Sequence, residues 1–310
     1  MPAAGVGFVA EATEAEFMWA LATAHIGGKA TPCLRVGGKF YPFPALAPDL
    51  PATTLALFDD WARNKARLDD LAKKASAAQS LDSNAELLAP LLYPGKILCA
   101  GANYYDHMAE MGFPGVKKET QRLFFFFKPP RNAVVGPGVS ITMPRGTQKY
   151  DWEIELAAVI GKTARYVTAD TALDHVAGYT VAIDMSARDF NMAPDQFYKL
   201  DWVAGKATDM GCPLGPWIVP AQALPDPQNV KLRLAVNGEM KQDSSTSQMI
   251  FSIAEQIALA SSIMTLDPGD VILTGTPAGV GVPKGTFLKP GDKIDAEVDG
   301  IGRLSVAIRT

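Results

Sequence analysis

The stretch Tyr150-Asp151-Trp152-Glu153-Ile154-Glu155-Leu156-Ala157-Ala158-Val159-Ile160-Gly161 decides how the chain is read. The run EIELAAVI has the apolar density of a strand, and residues i and i+2 of a strand share a face. Glu153 and Glu155 then point the same way, with Asp151 before them, while Trp152, Ile154 and Leu156 take the other face. Carboxylates lined up beside an apolar run repel each other and lose hydration. If buried, they require protonation, a basic partner or a divalent cation. The competing reading is a solvated outer face, which AAVIGK weakens because the strand soon becomes apolar on both sides. A third acid is available in GYTVAIDMSARDF. Asp184 ends an apolar strand 31 residues after Glu153, where it can be aimed into a cleft or can cap a helix. Three carboxylate ligands favour Mg²⁺, Mn²⁺ or Ca²⁺ over zinc, and leave about three positions of an octahedron for water and substrate.

Working outward, Lys96 onward is mostly β. ILCAGANY, LFFFFK, AGYTVAID, CPLGPWIV, KLRLAVNG, DVILTGTPAG, DKIDAEVDG and RLSVAIRT are apolar or alternating runs bounded by turn residues. LFFFFK fits a buried strand. Helices are expected at 102–111, 170–175 and 249–264. Before Lys96 the texture differs. TPCLRVGGKFYPF (31–43) reads as strand, Gly-Gly turn, strand. Residues 53–80 carry Leu55, Leu57, Phe58, Trp61, Leu68 and Leu71 at near-helical spacing. The spacing predicts a small α+β domain over 1–80, a linker over 81–95 and a β-dominated α+β domain over 96–310.

The chain has 310 residues, with Lys+Arg 29 against Asp+Glu 33 and a net charge of −4. That balance argues against a nucleic-acid partner. Cys33, Cys99 and Cys212 make neither a disulfide framework nor a Cys-x-x-Cys site. MPAAGVGFVAEATEAEF lacks a secretory pattern, and no apolar run approaches the ~20 residues of a membrane span. A cytoplasmic protein with no membrane partner is expected.

Other residues bear on chemistry. His107 and Glu110 stand at i and i+3 of a helical segment, so a carboxylate can fix the imidazole as a general base. A surface ion pair is the plainer alternative. Arg188, four residues after Asp184, can face the same cleft or make a surface salt bridge. Lys206 follows a weak strand signal at Trp202–Gly205, and a solvated lysine is its ordinary fate. LTGTPAGVG (273–281) is Gly-rich without a phosphate loop's Gly-Lys-Ser/Thr; its small residues let backbone and the Thr276 hydroxyl approach a ligand.

Seven blocks carry a resemblance: GANYYDHMAEMG (101–112), KPPRNAVVGPG (128–138), DWEIELAAVIGK (151–162), GYTVAIDMSARD (178–189), GKATDMGCPLGPWIV (205–219), LAVNGEMKQDSSTSQMIF (234–251) and LDPGDVILTGTPAGVG (266–281). With them the chain resembles the fumarylacetoacetate hydrolase family, near its bacterial acylpyruvate hydrolases and 2-hydroxyhepta-2,4-diene-1,7-dioate isomerases. The resemblance implies a mixed β-sandwich or roll as catalytic domain, a small N-terminal domain and a homodimer. It implies Glu153, Glu155 and Asp184 as ligands of Mg²⁺ or Mn²⁺, with Ca²⁺ able to substitute in crystals. It makes His107 and Glu110 a catalytic pair on a mobile segment, puts Lys206 beside the metal with Asp209 available to orient it, and puts Arg188 and Thr276 on the substrate. Some acylpyruvate-cleaving members carry a Gln shortly after the Arg of the SARD block. Asn191 stands near that place here, which leaves the substrate side chain open. The implied reaction is C–C hydrolysis of a 2,4-dioxo acid from aromatic catabolism to pyruvate and a carboxylic acid. The alternative is an isomerase or decarboxylase of 2-oxo or 2-hydroxydienoic diacids, oxaloacetate included. A non-catalytic metal-dependent binding protein is a third class, against which the intact His107–Glu110 pair argues.

Overall fold

A computed structural model of the chain describes residues 19–75, 80–81 and 84–310. The N-terminal segment read for a secretory pattern lies outside the described residues. Among those described, no helix is long and apolar enough to cross a membrane.

The strand Ile154–Ile160 is buried along its whole length and lies inside a large sheet. The sheet runs Lys39–Pro42, Lys29–Val36, Ala20–Ile26, Cys212–Pro220, Val176–Ile183, Ile154–Ile160, Val271–Leu273, Ile97–Gly101, Phe124–Phe127. The period of two then sorts its side chains. Trp152, Ile154, Leu156, Ala158 and Ile160 join one core, with Leu232, Leu234, Ile294 and Leu304 of a second sheet and Ile253 and Ile257 of the helix Ile253–Ile263. Ala157 and Val159 join the other, with Leu21, Leu34, Phe58 and Leu68. Burying a side chain such as Ile154 or Leu156 contributes about 1.5–3 kcal/mol relative to exposure. The second sheet runs Glu239–Ser245, Lys231–Val236, Lys293–Val298, Gly302–Arg309, Ser140–Thr142. The molecule is strand-rich α+β.

The Gly37-Gly38 turn has positive φ at both residues, 52° and 76°, as a two-residue hairpin requires. The helical stretch after residue 53 divides into a 3₁₀ turn, Leu55–Asp60, and the helix Trp61–Lys74. Asp60 sets the break, because its carboxylate accepts from Arg63 N–H at the new N-terminus. The early strands share one sheet with the later ones through Leu21 opposite Ile218.

Two expectations are corrected. Among the described residues Phe124–Phe127 is an edge strand, paired only with Ile97–Gly101, so Phe124 and Phe127 are 37% and 50% exposed. Trp202–Lys206 is helical because the Asp201 carboxylate caps it, accepting from Ala204 N–H at 2.9 Å.

The sheet gathers chemistry at one end. Ile154 sits opposite Ile183 in the antiparallel pair, so Glu153 at the start of one strand meets Asp184 at the end of the next. Val271–Leu273 pairs antiparallel on the other side of Ile154–Ile160, so the loop after Leu273 emerges there too. Ile97–Gly101 lies parallel to Val271–Leu273 and delivers the following helix, Tyr105–Glu110, to the same end.

Candidate active site

Glu153, Glu155 and Asp184 are buried, and each offers an oxygen within 4.8 Å of the others. Main-chain pairing sets this spacing, with Asp184 N–H donating to the Glu153 carbonyl at 2.8 Å. Around them stand three cations. Lys206, at the end of its helix, places Nζ between Glu153 Oε2 and Asp184 Oδ2, the latter at 2.8 Å. Arg188 donates from one terminal nitrogen to Glu153 Oε1 at 2.7 Å and from Nε to Asp151 Oδ2 at 2.9 Å. The short pairing of Ser186–Ala187 with Tyr150–Asp151 brings it there. Lys128 is fully buried, with Nζ 2.7 Å from Asp184 Oδ1 and donating to the carbonyls of Lys206 and Met185 at 2.5 and 3.0 Å.

Asp151 is not among the convergent oxygens. Its carboxylate accepts from the backbone N–H of Trp152 and Gly281 at 2.9 and 2.7 Å, from Val282 N–H at 3.3 Å, and from Arg188. Its lone pairs are committed to holding Arg188 and the end of the Gly-rich loop. Glu155 accepts from Gly275 N–H at 2.5 Å and forms no ion pair among the described residues.

The electrostatics follow. Burial pushes Glu153 up, but Arg188 and then Lys206 outweigh it and hold the group below the usual glutamate range. Burial, with Asp184 and Glu153 adding to it, pushes Glu155 well above that range. Burial disfavours charge on Lys128, yet Asp184 beside it keeps the ammonium form favoured. Ionised, the four carboxylates Asp151, Glu153, Glu155 and Asp184 exceed the three cations by one charge. The donor set is oxygen-only, and a hard divalent cation among Glu153, Glu155 and Asp184 would offset the repulsion that raises Glu155. The residues fit such an ion.

A pH signature is expected. An acid whose folded pKa is raised adds stability below its ordinary pKa and loses it as pH climbs to the raised value. Glu155 therefore makes the metal-free protein less stable as pH rises from the ordinary glutamate range toward its raised value. Glu153, depressed, acts only at the acid end, where stability falls as pH drops. Thermal melts in EDTA should show the decline on the rising side, and saturating MnCl₂ should flatten it. Parallel pH profiles with and without the ion would remove Glu155 from the cation site.

His107 and Glu110 lie on the helix Tyr105–Glu110, with Nδ1 2.8 Å from Glu110 Oε1. The other Glu110 oxygen accepts from Gly279 N–H at 2.8 Å. Gly279 has φ 107°, and a Cβ there would come within 1.9 Å of the Lys241 carbonyl oxygen. Trp152 Nε1 donates to the Gly279 carbonyl at 3.1 Å, so the ligand strand and the His107 pair grip the same residue. Asp106 fastens the helix further, accepting from Ser244 Oγ and from His107 N–H. Thr276 is buried in the loop and hydrogen-bonded to Gln242. Asn191 gives its amide to the Asp201 carbonyl at 3.2 Å and packs on Gly205, tying the Arg188 turn to the Lys206 helix. Asp209 accepts from Asn132 at 3.1 Å, whereas Lys206 is oriented by Glu153 and Asp184.

The structure thus brings Glu153, Glu155, Asp184, Arg188 and Lys206 together, pairs His107 with Glu110, and joins Thr276 to the ligand strand through Gln242. Sequence reasoning missed Lys128 and Gln242. Lys128 carries a faint signal, a lysine between an apolar strand and Pro129-Pro130. Gln242 carries none, being one polar residue in a polar strand.

The profile described as Fumarylacetoacetate (FAA) hydrolase C-terminal matches residues 96–309. The chain belongs to the fumarylacetoacetate hydrolase family. This is a family of enzymes. Among its members, "Oxaloacetate tautomerase FAHD2B, mitochondrial" of Bos taurus is 41% identical over 271 residues, 86% of this chain and 82% of that protein. Among solved structures, a fumarylacetoacetate hydrolase from psychrophilic Exiguobacterium antarcticum has a TM-score of 0.78 at 31% identity, covering 94% of this chain and 99% of that one. Fumarylpyruvate hydrolase from Pseudomonas aeruginosa, in complex with Mn²⁺ and pyruvate, has a TM-score of 0.62 at 37% identity, covering 69% and 89%.

Proposed function

We propose that the protein is a divalent-cation-dependent isomerase of 2-oxo diacids, interconverting the enol and keto forms of an oxaloacetate-like substrate. The observation that carries this reading is the kinship with an oxaloacetate tautomerase along most of both chains, joined to a buried site with the parts that enolisation needs. Residues 96–310 form the catalytic unit, since every site residue falls there. Residues 1–80 are an auxiliary domain, 81–95 a linker, and the working form is a homodimer.

Glu153, Glu155 and Asp184 would hold Mg²⁺ or Mn²⁺, which when bound supplies Lewis-acid polarisation of a 2-oxo group. Arg188 and Thr276 bind the anionic end of the substrate. Lys206, pinned by two carboxylates, keeps positive charge where the enolate develops. His107 has Nδ1 occupied by Glu110, which leaves Nε2 to take the C3 proton of the keto form while the C2 oxygen gains a proton from solvent to complete the enol; the reverse direction returns the proton to C3 and releases the one on oxygen. No carbon–carbon bond breaks.

Hydrolysis of acylpyruvates is the second reading. The His107–Glu110 pair favours it, because the same base can activate water. Asn191, whose amide donates to the Asp201 carbonyl, leaves the side chain of such a substrate open. Product analysis separates the two. Enol oxaloacetate in D₂O should reach keto–enol equilibrium faster with enzyme, carbon skeleton intact by mass and by ¹H NMR, and EDTA should abolish the acceleration. An acid plus pyruvate from an acylpyruvate, with no effect on oxaloacetate, would replace isomerisation by hydrolysis. Carbon dioxide release at the rate of enol loss would replace it by decarboxylation.

A further inference from the structure

Gln242 is the single fully buried residue of the strand Glu239–Ser245. Its amide can lie in only one orientation. Oε1 accepts from the backbone N–H of Ile154 at 2.9 Å, a group that can only donate. Nε2 donates to the Pro277 carbonyl at 2.9 Å, a group that can only accept. The remaining Nε2 hydrogen goes to Thr276 Oγ1 at 2.8 Å, so the Thr276 hydroxyl is the acceptor of that bond. A hydroxyl that accepts from an amide still has its own proton to give. Thr276 is 5% exposed and follows Gly275, whose N–H holds Glu155. Thr276 therefore sits one residue from the backbone N–H that holds a member of the carboxylate cluster, with its own proton to give.

We infer that Gln242 is a positioning and specificity-determining residue that makes Thr276 an obligate hydrogen-bond donor to an anionic oxygen of the substrate. It does so from the second sheet, by locking the hydroxyl rotor to the first residue of the ligand strand. A carboxylate is favoured at that place because it takes the hydroxyl proton; a ligand group that can only donate would reach the second lone pair but leave that proton unpaired. This deepens the functional reading above and rests on it.

The test uses the full chain loaded with Mn²⁺ and pyruvate as probe, read by calorimetry rather than turnover. Gln242→Glu replaces the donor by an acceptor and draws the Thr276 proton onto itself. Pyruvate affinity should fall at least tenfold, with Mn²⁺ affinity within threefold of wild type. Gln242→Met frees the rotor without adding charge and should cost about three- to tenfold. Both losses should shrink to less than twofold in a Thr276→Val background, because the proton they redirect is gone. Unchanged pyruvate affinity in Gln242→Met, or equal losses with and without the Thr276 hydroxyl, would overturn the inference while leaving the functional reading intact. Failure of the wild-type Mn²⁺ form to bind pyruvate at all would overturn both. Should Gln242→Glu not fold, the Gln242→Met and Thr276→Val pair decides the matter alone.

Discussion

Replacing His107 by glutamine should lower kcat for enol–keto interconversion by ~10²–10⁴-fold, the range a positioned base contributes. Metal affinity should not change. His107 lies close enough to favour the ionised form of Glu153, but it is not one of the three converging carboxylates, and its hydrogen-bonded link to them runs through Glu110, Gly279 and Trp152. Glutamine keeps a polar group of similar reach but cannot take a proton. Glu110→Gln should be milder, because Glu110 orients the imidazole and takes no proton itself. Steady-state rates on enol oxaloacetate, with Mn²⁺ binding followed by electron paramagnetic resonance, give both halves. A fall of less than tenfold in His107→Gln would move the base elsewhere in the site.

Lys206→Met should be the most damaging substitution, and it should act twice. The side chains are similar in volume, so packing is largely kept, although the approach of the Lys206 ammonium to the Phe126 ring at 5.0 Å goes with the charge. What is lost is the charge between Glu153 and Asp184. Breaking a buried pair from one side costs about 3–5 kcal/mol, because the abandoned carboxylate stays buried. Denaturant unfolding in EDTA should show a loss of that size. Saturating Mn²⁺ should recover much of it, as the ion offsets the same carboxylates. Rate should not recover with stability: removing a preorganised charge at a developing anion costs ~10²–10³-fold. Recovery of both by Mn²⁺ would make Lys206 a purely structural counter-ion.

Much of this was legible in the sequence because it is local. The alternation from Trp152 to Ile160 sorts the apolar side chains between two cores and sets Glu153 and Glu155 apart from both. The short spacings that put Glu153 beside Glu155 and His107 beside Glu110 needed no tertiary knowledge. What was not legible is what the fold brings from afar. Lys206 meets Glu153 across 53 positions and Gln242 meets Ile154 across 88. No periodicity encodes such pairings. Asp151 shows the same limit from the other side. Its position beside two acids suggests a ligand, but donors from Gly281 and Val282, 130 and 131 residues later, occupy it first. The Trp202–Lys206 helix was missed because a capped turn this short has no repeat to detect.

The placement of the ligand strand has a kinetic consequence. Ile154–Ile160 is bonded to a neighbour on each side, so Glu155, with Glu153 just before it, is mounted on backbone that separates only when the whole sheet comes apart. The helix Tyr105–Glu110 is only six residues long and has no buried side chain. Local opening of this helix costs far less than opening the sheet, so its amide hydrogens should exchange with solvent well before those of the strand.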